Sequence, residues 1–159
     1  MITVGLLTVS DSGARGERED ASGPALAALC EFLGWTIAQR AIVPDDQDAI
    51  AAVLREWADT ERLALILTTG GTGIAKRDVT PEATRLCMEQ EIPGLAELMR
   101  ISGLQHTRRA VLSRAVAGSR GNTLIVNLPG SPKGAVESLE SIQDLIVHAT
   151  ALLSGKTEH

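Results

Sequence analysis

A chain of 159 residues with 44% hydrophobic and 22% charged side chains has the composition of one globular domain large enough to bury a sizeable core. Its net charge of −5 and its three aromatic residues, Phe32, Trp35 and Trp57, exclude a general nucleic-acid surface or base-stacking platform and demand an aliphatic core. No apolar run approaches membrane-spanning length, and Ile2–Val9 has neither a basic flank nor a cleavage site, so the expectation is a cytoplasmic protein without membrane anchor or signal peptide.

Ile2–Val9 is apolar and rich in β-branched residues, which predicts a buried strand running into the polar loop Ser10-Asp11-Ser12-Gly13. The charged stretch Arg15–Asp20 reads as a mobile, solvated loop, whereas Asp11 and Ser12 sit where the strand's carboxyl end opens. Ser22 and Pro24 start a helix in which Leu26, Leu29, Cys30 and Leu33 recur at helical spacing, and Gly34 ends it. A second strand runs from Trp35 to Val43 and stops at Pro44-Asp45-Asp46. The following helix places Ile50, Val53, Leu54, Trp57 and Ala58 on one face. Asp45, Asp46 and Asp48 stand at its start, where carboxylates ordinarily cap a helix and complement its dipole.

Leu63–Leu67 predicts a third, buried strand. The loop Thr68-Thr69-Gly70-Gly71-Thr72-Gly73 follows, continuing through Arg77-Asp78-Val79 to Thr80 as N-cap and Pro81 as first residue of a helix with Ala83, Leu86 and Cys87 inward. Pro93-Gly94 breaks that helix, and a short one follows in which Leu95, Leu98 and Met99 leave an apolar face for a partner subunit. Residues 104–114 are basic; Ala115–Ala117 and Thr123–Val126 then read as short strands joined through Gly118–Asn122. Asn127–Gly134 is a second Gly/Pro loop, before a last helix carrying Ala135, Leu139, Ile142, Ile146, Ala149 and Leu153. The domain spans 1–155, and the tail 156–159 is polar. Cys30 and Cys87 read as reduced core residues, and His106, His148 and His159 form no cluster.

Strands alternating with amphipathic helices imply an α/β fold: a mainly parallel sheet, helices on both faces and a short antiparallel edge. Ligands of such sheets bind beyond the carboxyl ends of the strands, at a switch point. The loops at Ser10–Ser12, Pro44-Asp45, Thr69–Asp78 and Asn127–Lys133 all follow strands and can share one rim. Glycines between a strand and a helix let the backbone approach a ligand and aim successive N–H groups at an anion. A P-loop is excluded because Ala75-Lys76-Arg77 stands where its second glycine and Lys-Ser/Thr belong, and the dinucleotide fingerprint fails at Lys76. Asp78 at the exit adds a carboxylate, which points to a metal–phosphate site.

These residues together resemble the MogA/MoaB family of molybdenum-cofactor biosynthesis proteins, which includes the G domains of gephyrin and its plant counterpart. The similarity covers nearly the whole chain. It is carried by Thr69-Gly-Gly-Thr-Gly73 with Arg77-Asp-Val-Thr-Pro-Glu-Ala-Thr84, supported by Thr8–Ser12, Asp20–Pro24, Pro44-Asp45, Pro93-Gly94, Leu112–Arg114 and Arg120–Gly134. Leu95 stands where the family pattern has phenylalanine. The resemblance implies a three-layer α/β sandwich, a homotrimer and molybdopterin adenylyltransferase activity, in which Mg²⁺ and ATP convert molybdopterin to its adenylylated form with release of pyrophosphate. It also implies a molybdenum-insertion protein as a partner.

Carried over by position, the resemblance assigns Asp45 and Asp78 to catalysis and metal binding. It assigns Ser10, Asp11, Ser12, Thr69, Gly70, Gly71, Thr72, Gly73, Ser113, Asn127, Pro129, Gly130, Ser131 and Lys133 to molybdopterin and ATP binding. Lys76, Arg77, Arg114, Arg120 and Lys133 are candidate anion contacts. A phosphate nucleophile with a second pKa of about 6 is largely dianionic at neutral pH, so no histidine base is required. The alternatives are a molybdopterin carrier or scaffold without transferase activity, and a molybdenum-insertion or CinA-like enzyme on the same fold. Asp45 and Asp78 speak against the carrier, and the continuation into Arg77–Thr84 against the other enzymes.

Overall fold

The computed structural model describes residues 1–156, so 157–159 of the expected polar tail lie outside the described residues. Six strands form one sheet: β1 Thr3–Val9, β2 Thr36–Val43, β3 Leu65–Thr69, β4 Gln90–Glu91, β5 Ala117–Arg120 and β6 Thr123–Leu128, in the order β2-β1-β3-β6-β5-β4. The first four of that order are mutually parallel, whereas β5 is antiparallel to both β6 and β4. The chain leaves β1 for β2 on one side and returns to β3 on the other. The carboxyl ends of β1 and β3 therefore flank the crevice where such sheets bind ligands.

The period-2 alternation of side chains divides the core between the two faces of the sheet. On one face, Val4, Leu6, Leu65, Leu67, Leu124, Val126 and Leu128 pack against α2 (Ser22–Phe32), α5 (Pro93–Gly103) and α6 (Pro132–Leu153). On the other, Leu7, Val9, Ile66 and Ile125 pack against α3 (Gln47–Asp59) and α4 (Thr80–Cys87). This is the expected α/β three-layer arrangement. The core is mainly aliphatic, with one buried tryptophan on each side of the sheet, Trp35 and Trp57, and β3 and β6 are buried along their whole length.

Several boundaries differ from the sequence reading, each for a local reason. Ser10–Gly13 is not a plain loop: Ser10 caps a short helix, α1 (Asp11–Ala14), by accepting from Gly13 N–H at 3.1 Å. The third strand begins at Leu65 rather than Leu63, because Leu63 N–H is held by Trp57 O and Ala64 N–H by Thr3 Oγ1. It then continues through Thr68 and Thr69, which pair with β1 and β6. Thr80 is the first residue inside α4, with Val79 at the N-cap position, and its hydroxyl donates to Gly70 O at 2.9 Å.

Leu86, expected inward, is 54% exposed, and the inner face of α4 carries Thr80, Ala83, Thr84 and Cys87 instead. The hairpin strand begins at Ala117 and extends to Arg120, and it recruits β4, where a Cβ on Gly118 would collide with Gln90 O. Pro93-Gly94 begins a helix of 11 residues, and its Leu95 and Met99 are core residues rather than a free face.

Asn127 on β6 links a buried hydroxyl of α4, Thr84, to one of β3, Thr68. Its amide donates to Thr68 Oγ1 and Thr84 Oγ1, both at 3.0 Å, and its carbonyl accepts from Val116 N–H at 3.2 Å. Asn127 is fully buried, so this side chain braces the floor of the crevice. Asn127→Ala leaves Val116 N–H a buried donor without a partner, and the unfolding free energy in urea is expected to fall by at least about 1–3 kcal/mol. A midpoint equal to that of the native chain would show that the brace carries no stability.

Candidate active site

The glycine loop leaves β3 with its backbone turned one way. Gly70 O accepts from Thr80 Oγ1, Gly71 O from Thr80 N–H at 3.1 Å, Thr72 O from Arg114 N–H at 2.8 Å, and Gly73 O from Arg114 Nε at 2.8 Å. All four carbonyls are thus occupied. The N–H groups of Gly71, Thr72, Gly73 and Ile74 have no acceptor among the described residues. Successive free N–H groups on one side of a loop form an anion cradle.

Gly70 and Gly71 have φ of +103° and +69°, a region that favours glycine. A Cβ on Gly70 would collide with Val9 O and one on Gly71 with Thr80 Oγ1, whereas one on Gly73 would lie 2.8 Å from Asp78 Oδ2. The first two glycines are therefore required by the fold itself. Gly73 leaves room for a carboxylate.

The loop is also the ridge between two cavities. One, of about 500 Å³, is lined by Thr8, Ser10, Asp20, Asp45, Thr69, Gly70, Gly71, Asp78, Gly130 and Ser131. The other, of about 380 Å³, lies beyond Thr72 and Gly73 and is lined by Met99, Leu112, Ser113, Asn127, Pro129, Ser131 and Glu137 among others. The second Gly/Pro loop completes the ridge: Thr69 Oγ1 donates to Pro129 O at 2.6 Å, and Gly70 N–H to Leu128 O at 3.2 Å. Of the expected site residues, Asp11, Ser12 and Lys133 line neither cavity.

Asp45 and Asp78 line the polar cavity, and Asp11 stands against Asp45 just outside it. Asp46 takes the capping role at α3, accepting from Ala49 N–H at 2.8 Å, which leaves Asp45 free for another role. Asp45 and Asp11 clasp reciprocally: Asp11 N–H donates to Asp45 Oδ2 at 3.0 Å, and Asp45 N–H to Asp11 Oδ1 at 2.9 Å. Arg77 pairs with Asp11 at 2.7 Å and holds its carboxyl below the usual range, first through its hydrogen bonds. Burial pushes Asp45 the other way, and the charges of Asp11 and Asp78 reinforce that rise. Asp78 Oδ2 accepts from Ala75 N–H at 3.0 Å.

Asp45 thus feels two like charges and has only the charge of Arg77, itself paired with Asp11, against them. That is the environment a divalent cation would relieve. Among the described residues no three His, Cys, Asp or Glu side chains form a metal cage. Asp45 and Asp78 are oxygen donors of the kind that would hold Mg²⁺ together with phosphates and water.

Arg114 and Arg120 are committed to the fold. Arg114 spans Gly73 O, Asp78 O and Glu82, whereas Arg120 pairs with Asp59 and donates to Cys87 O. Arg77 stands at the rim of the crevice, 68% exposed.

Sequence reasoning gives no site role to Thr8, Asp20 or Glu137, although Thr8 and Asp20 stand in stretches that carry the family resemblance. Asp20 belongs by its letters to a solvated stretch, yet it accepts from Thr8 Oγ1 at 2.9 Å and caps the start of α2 through Gly23 N–H at 3.0 Å. The signal for Asp20 is its position three residues before Gly23 at a helix start.

The raised Asp45 gives a signed expectation. An acid whose folded pKa lies above its unfolded value stabilises the protein below the unfolded pKa and loses that contribution as pH rises through the folded one. Asp45→Asn removes the carboxylate but keeps an acceptor for Asp11 N–H, so at neutral pH its melting temperature is expected to equal or exceed that of the native chain. The advantage should vanish near pH 3. A variant less stable at neutral pH than at pH 3, relative to the native chain, would contradict the convergence of charge on Asp45.

Comparison with known proteins gives a consistent picture. Residues 5–148 match a family described as probable molybdopterin binding domain. The chain is 47% identical over 156 residues to the molybdenum cofactor synthesis protein cinnamon of Drosophila melanogaster, spanning 96% of this chain but only 26% of that protein. It is 41% identical over 156 residues to a molybdopterin adenylyltransferase of Helicobacter pylori strain J99, covering 97% of this chain and 89% of the relative. Among solved structures, the molybdopterin biosynthesis enzyme MoaB of Thermus thermophilus superposes with a TM-score of 0.93 at 56% identity, covering 98% of each chain. The chain belongs to the family of probable molybdopterin binding domains, in the MogA/MoaB group.

Proposed function

We propose that this protein is a molybdopterin adenylyltransferase, joining the terminal phosphate of molybdopterin to the AMP moiety of ATP and releasing pyrophosphate. The observation that carries the reading is the row of four free N–H groups, Gly71 to Ile74, set beside Asp45 and Asp78 between two cavities. It is supported by the 41% identity to an enzyme of that name.

The two substrates are polyanions, so the task is to hold phosphates together and in line rather than to abstract a proton. The nucleophile is a phosphate oxygen already deprotonated at neutral pH, with a second pKa of about 6. It forms a bond to the α-phosphorus of ATP while the bond from that phosphorus to the bridging oxygen breaks, and pyrophosphate departs with the electron pair. The free N–H groups supply fixed positive dipole ends where charge accumulates, without needing to reorganise. Arg77 at the rim, held by Asp11, adds a cation. A Mg²⁺ held by Asp45 and Asp78 would screen the repulsion between the phosphate groups.

The polar cavity has the character to take phosphates, and the apolar one a flat heterocycle. Both open on the same ridge, so the reacting groups meet over Gly70–Gly73. On this reading Asp78→Asn keeps the hydrogen bond from Ala75 N–H but removes the charge. Pyrophosphate release from ATP with molybdopterin is expected to fall ~10²–10³-fold, the scale of one lost electrostatic stabiliser, with the melting temperature little changed. Full activity in a folded Asp78→Asn variant would defeat the catalytic assignment.

The assembly proposed is a homotrimer. Ile101, Leu104, Val111 and Leu112 are 48–64% exposed on the end of α5 and the 3₁₀ segment Arg108–Leu112, giving apolar surface for a neighbouring copy. Sedimentation equilibrium at micromolar concentration is expected to give three times the chain mass, and a monomer would overturn the proposal.

A further inference from the structure

Two arginines bring their charge to the carboxylates of the polar cavity: Arg77 acts on Asp45, and Arg114 and Asp78 act on each other. Each guanidinium is already engaged by a different carboxylate. Arg77 forks onto Asp11, with Nε 3.0 Å and Nη2 2.7 Å from Oδ2. Arg114 forks onto Glu82 of α4, with Nη1 2.7 Å from Oε2 and Nη2 3.3 Å from Oε1. Neither Asp11 nor Glu82 lines a cavity, whereas Asp45 and Asp78 both line the polar one. Asp45 Oδ1 and Asp78 Oδ1 accept no hydrogen bond among the described residues. The two carboxylates that face the cavity are thus the two without an arginine.

Arg114 stands astride Asp78. Its Nη2 donates to Asp78 O at 2.7 Å and its Nε to Gly73 O at 2.8 Å, and a Cβ on Gly73 would lie 2.8 Å from Asp78 Oδ2. A guanidinium so placed and lacking a partner would take the Asp78 carboxylate in the same forked manner, because such pairs are the strong ones for arginine. The carboxylate would then lose the free charge and the open oxygen that a cation requires. Glu82 prevents this by occupying the fork. The side chains of the pair are 45% exposed at Glu82 and 36% at Arg114, and ion pairs so solvated contribute little to stability. What the pair does is direct Arg114.

We propose that Glu82 is a positioning residue: it engages the Arg114 guanidinium and so keeps the Asp78 carboxylate open to a divalent cation, as Asp11 does through Arg77 for Asp45. This assignment rests on the adenylyltransferase reading and deepens it, giving two carboxylates outside both cavities a part in metal–nucleotide binding.

Calorimetry on the whole chain with a non-hydrolysable ATP analogue, in Mg²⁺ and in EDTA, measures the factor by which the metal tightens nucleotide binding. The native chain is expected to bind the analogue more tightly with Mg²⁺. Glu82→Gln keeps the size of the side chain and releases Arg114. The factor should then fall about 5–20-fold, while metal-free affinity holds or rises, because an unpaired guanidinium attracts polyphosphate. A merely structural loss would weaken binding in both buffers alike. Glu82→Asp keeps the carboxylate and should restore most of the native factor.

Four results would overturn the proposal: a native chain indifferent to Mg²⁺, a Glu82→Gln variant with the native factor, an equal loss of affinity in both buffers, or a Glu82→Asp variant no better than Glu82→Gln. Should Glu82→Gln fail to fold, Asp11→Asn retains an acceptor for Asp45 N–H and releases Arg77. It should show the same fall in the factor, and the native factor there would overturn the proposal. Pyrophosphate release by the native chain with molybdopterin tests the parent reading separately. An inactive chain whose factor falls in Glu82→Gln refutes only the transferase reading, and an active chain whose factor ignores Glu82 refutes only this inference.

Discussion

The occupation of the four loop carbonyls by Thr80 and Arg114 is the constraint on which the rest of the site depends. A glycine-rich loop left to itself would turn its peptide planes freely, and its N–H groups would point anywhere. Two residues remove that freedom: Thr80, at the start of the helix that follows the loop, and Arg114, from a distant part of the chain. Thr80 spends its backbone and its hydroxyl on Gly71 O and Gly70 O. Arg114 spends its backbone on Thr72 O and its guanidinium on Gly73 O and Asp78 O. Arg114 is in turn held by Glu82, whose carboxyl stays below the usual range because of that guanidinium. Arg100 of α5 donates to Ser113 O and Ala115 O, and so fixes the segment carrying Arg114. The antiparallel edge and the helices around it thus act on the site through one arginine.

The same framework explains why neighbouring carboxylates behave oppositely. Asp11 and Asp45 exchange backbone hydrogen bonds, so neither can move without the other. Arg77 serves Asp11, and Asp45 keeps the charge that burial penalises. The pair is asymmetric by construction. One member is satisfied inside the protein, and the other is left with a requirement that a bound cation would meet.

Much of this is legible in the sequence. The inner parallel strands β1, β3 and β6 announce themselves as largely apolar runs, and the loops after the parallel strands share one rim because strand ends in a parallel sheet point the same way. The misreadings cluster where tertiary contacts overrule local pattern. β4 is Gln90-Glu91, with no apolar signal, and it exists because Gly118 and Ser119 offer a pairing edge. The phase of α4 escapes the apolar pattern because its inner face is built of threonines, whose hydroxyls find Gly70 O and Asn127 indoors. Asp45 and Asp46 are indistinguishable as letters, and only the register of the α3 cap separates them. Asp20 and Glu137 lie in stretches whose charge reads as solvent-facing, and no local pattern records that a charged residue has been turned inward.

The thinness of the ridge between the cavities follows from its composition. Gly130 and Gly70 meet backbone to backbone, so that a Cβ on Gly130 would stand 3.3 Å from Gly70 Cα. Side chains at those positions would widen the wall and separate whatever occupies its two sides. On the proposed function, glycine on both loops would let two ligands, each with its own lining, bring their phosphate ends over one row of N–H groups. For a reaction between two anions, which repel in solution, the useful contribution of a protein is a fixed line of positive dipole ends at their meeting point. The polar and apolar cavities then need not resemble each other. Each is free to suit its own heterocycle or phosphate, because the chemistry is confined to the ridge they share.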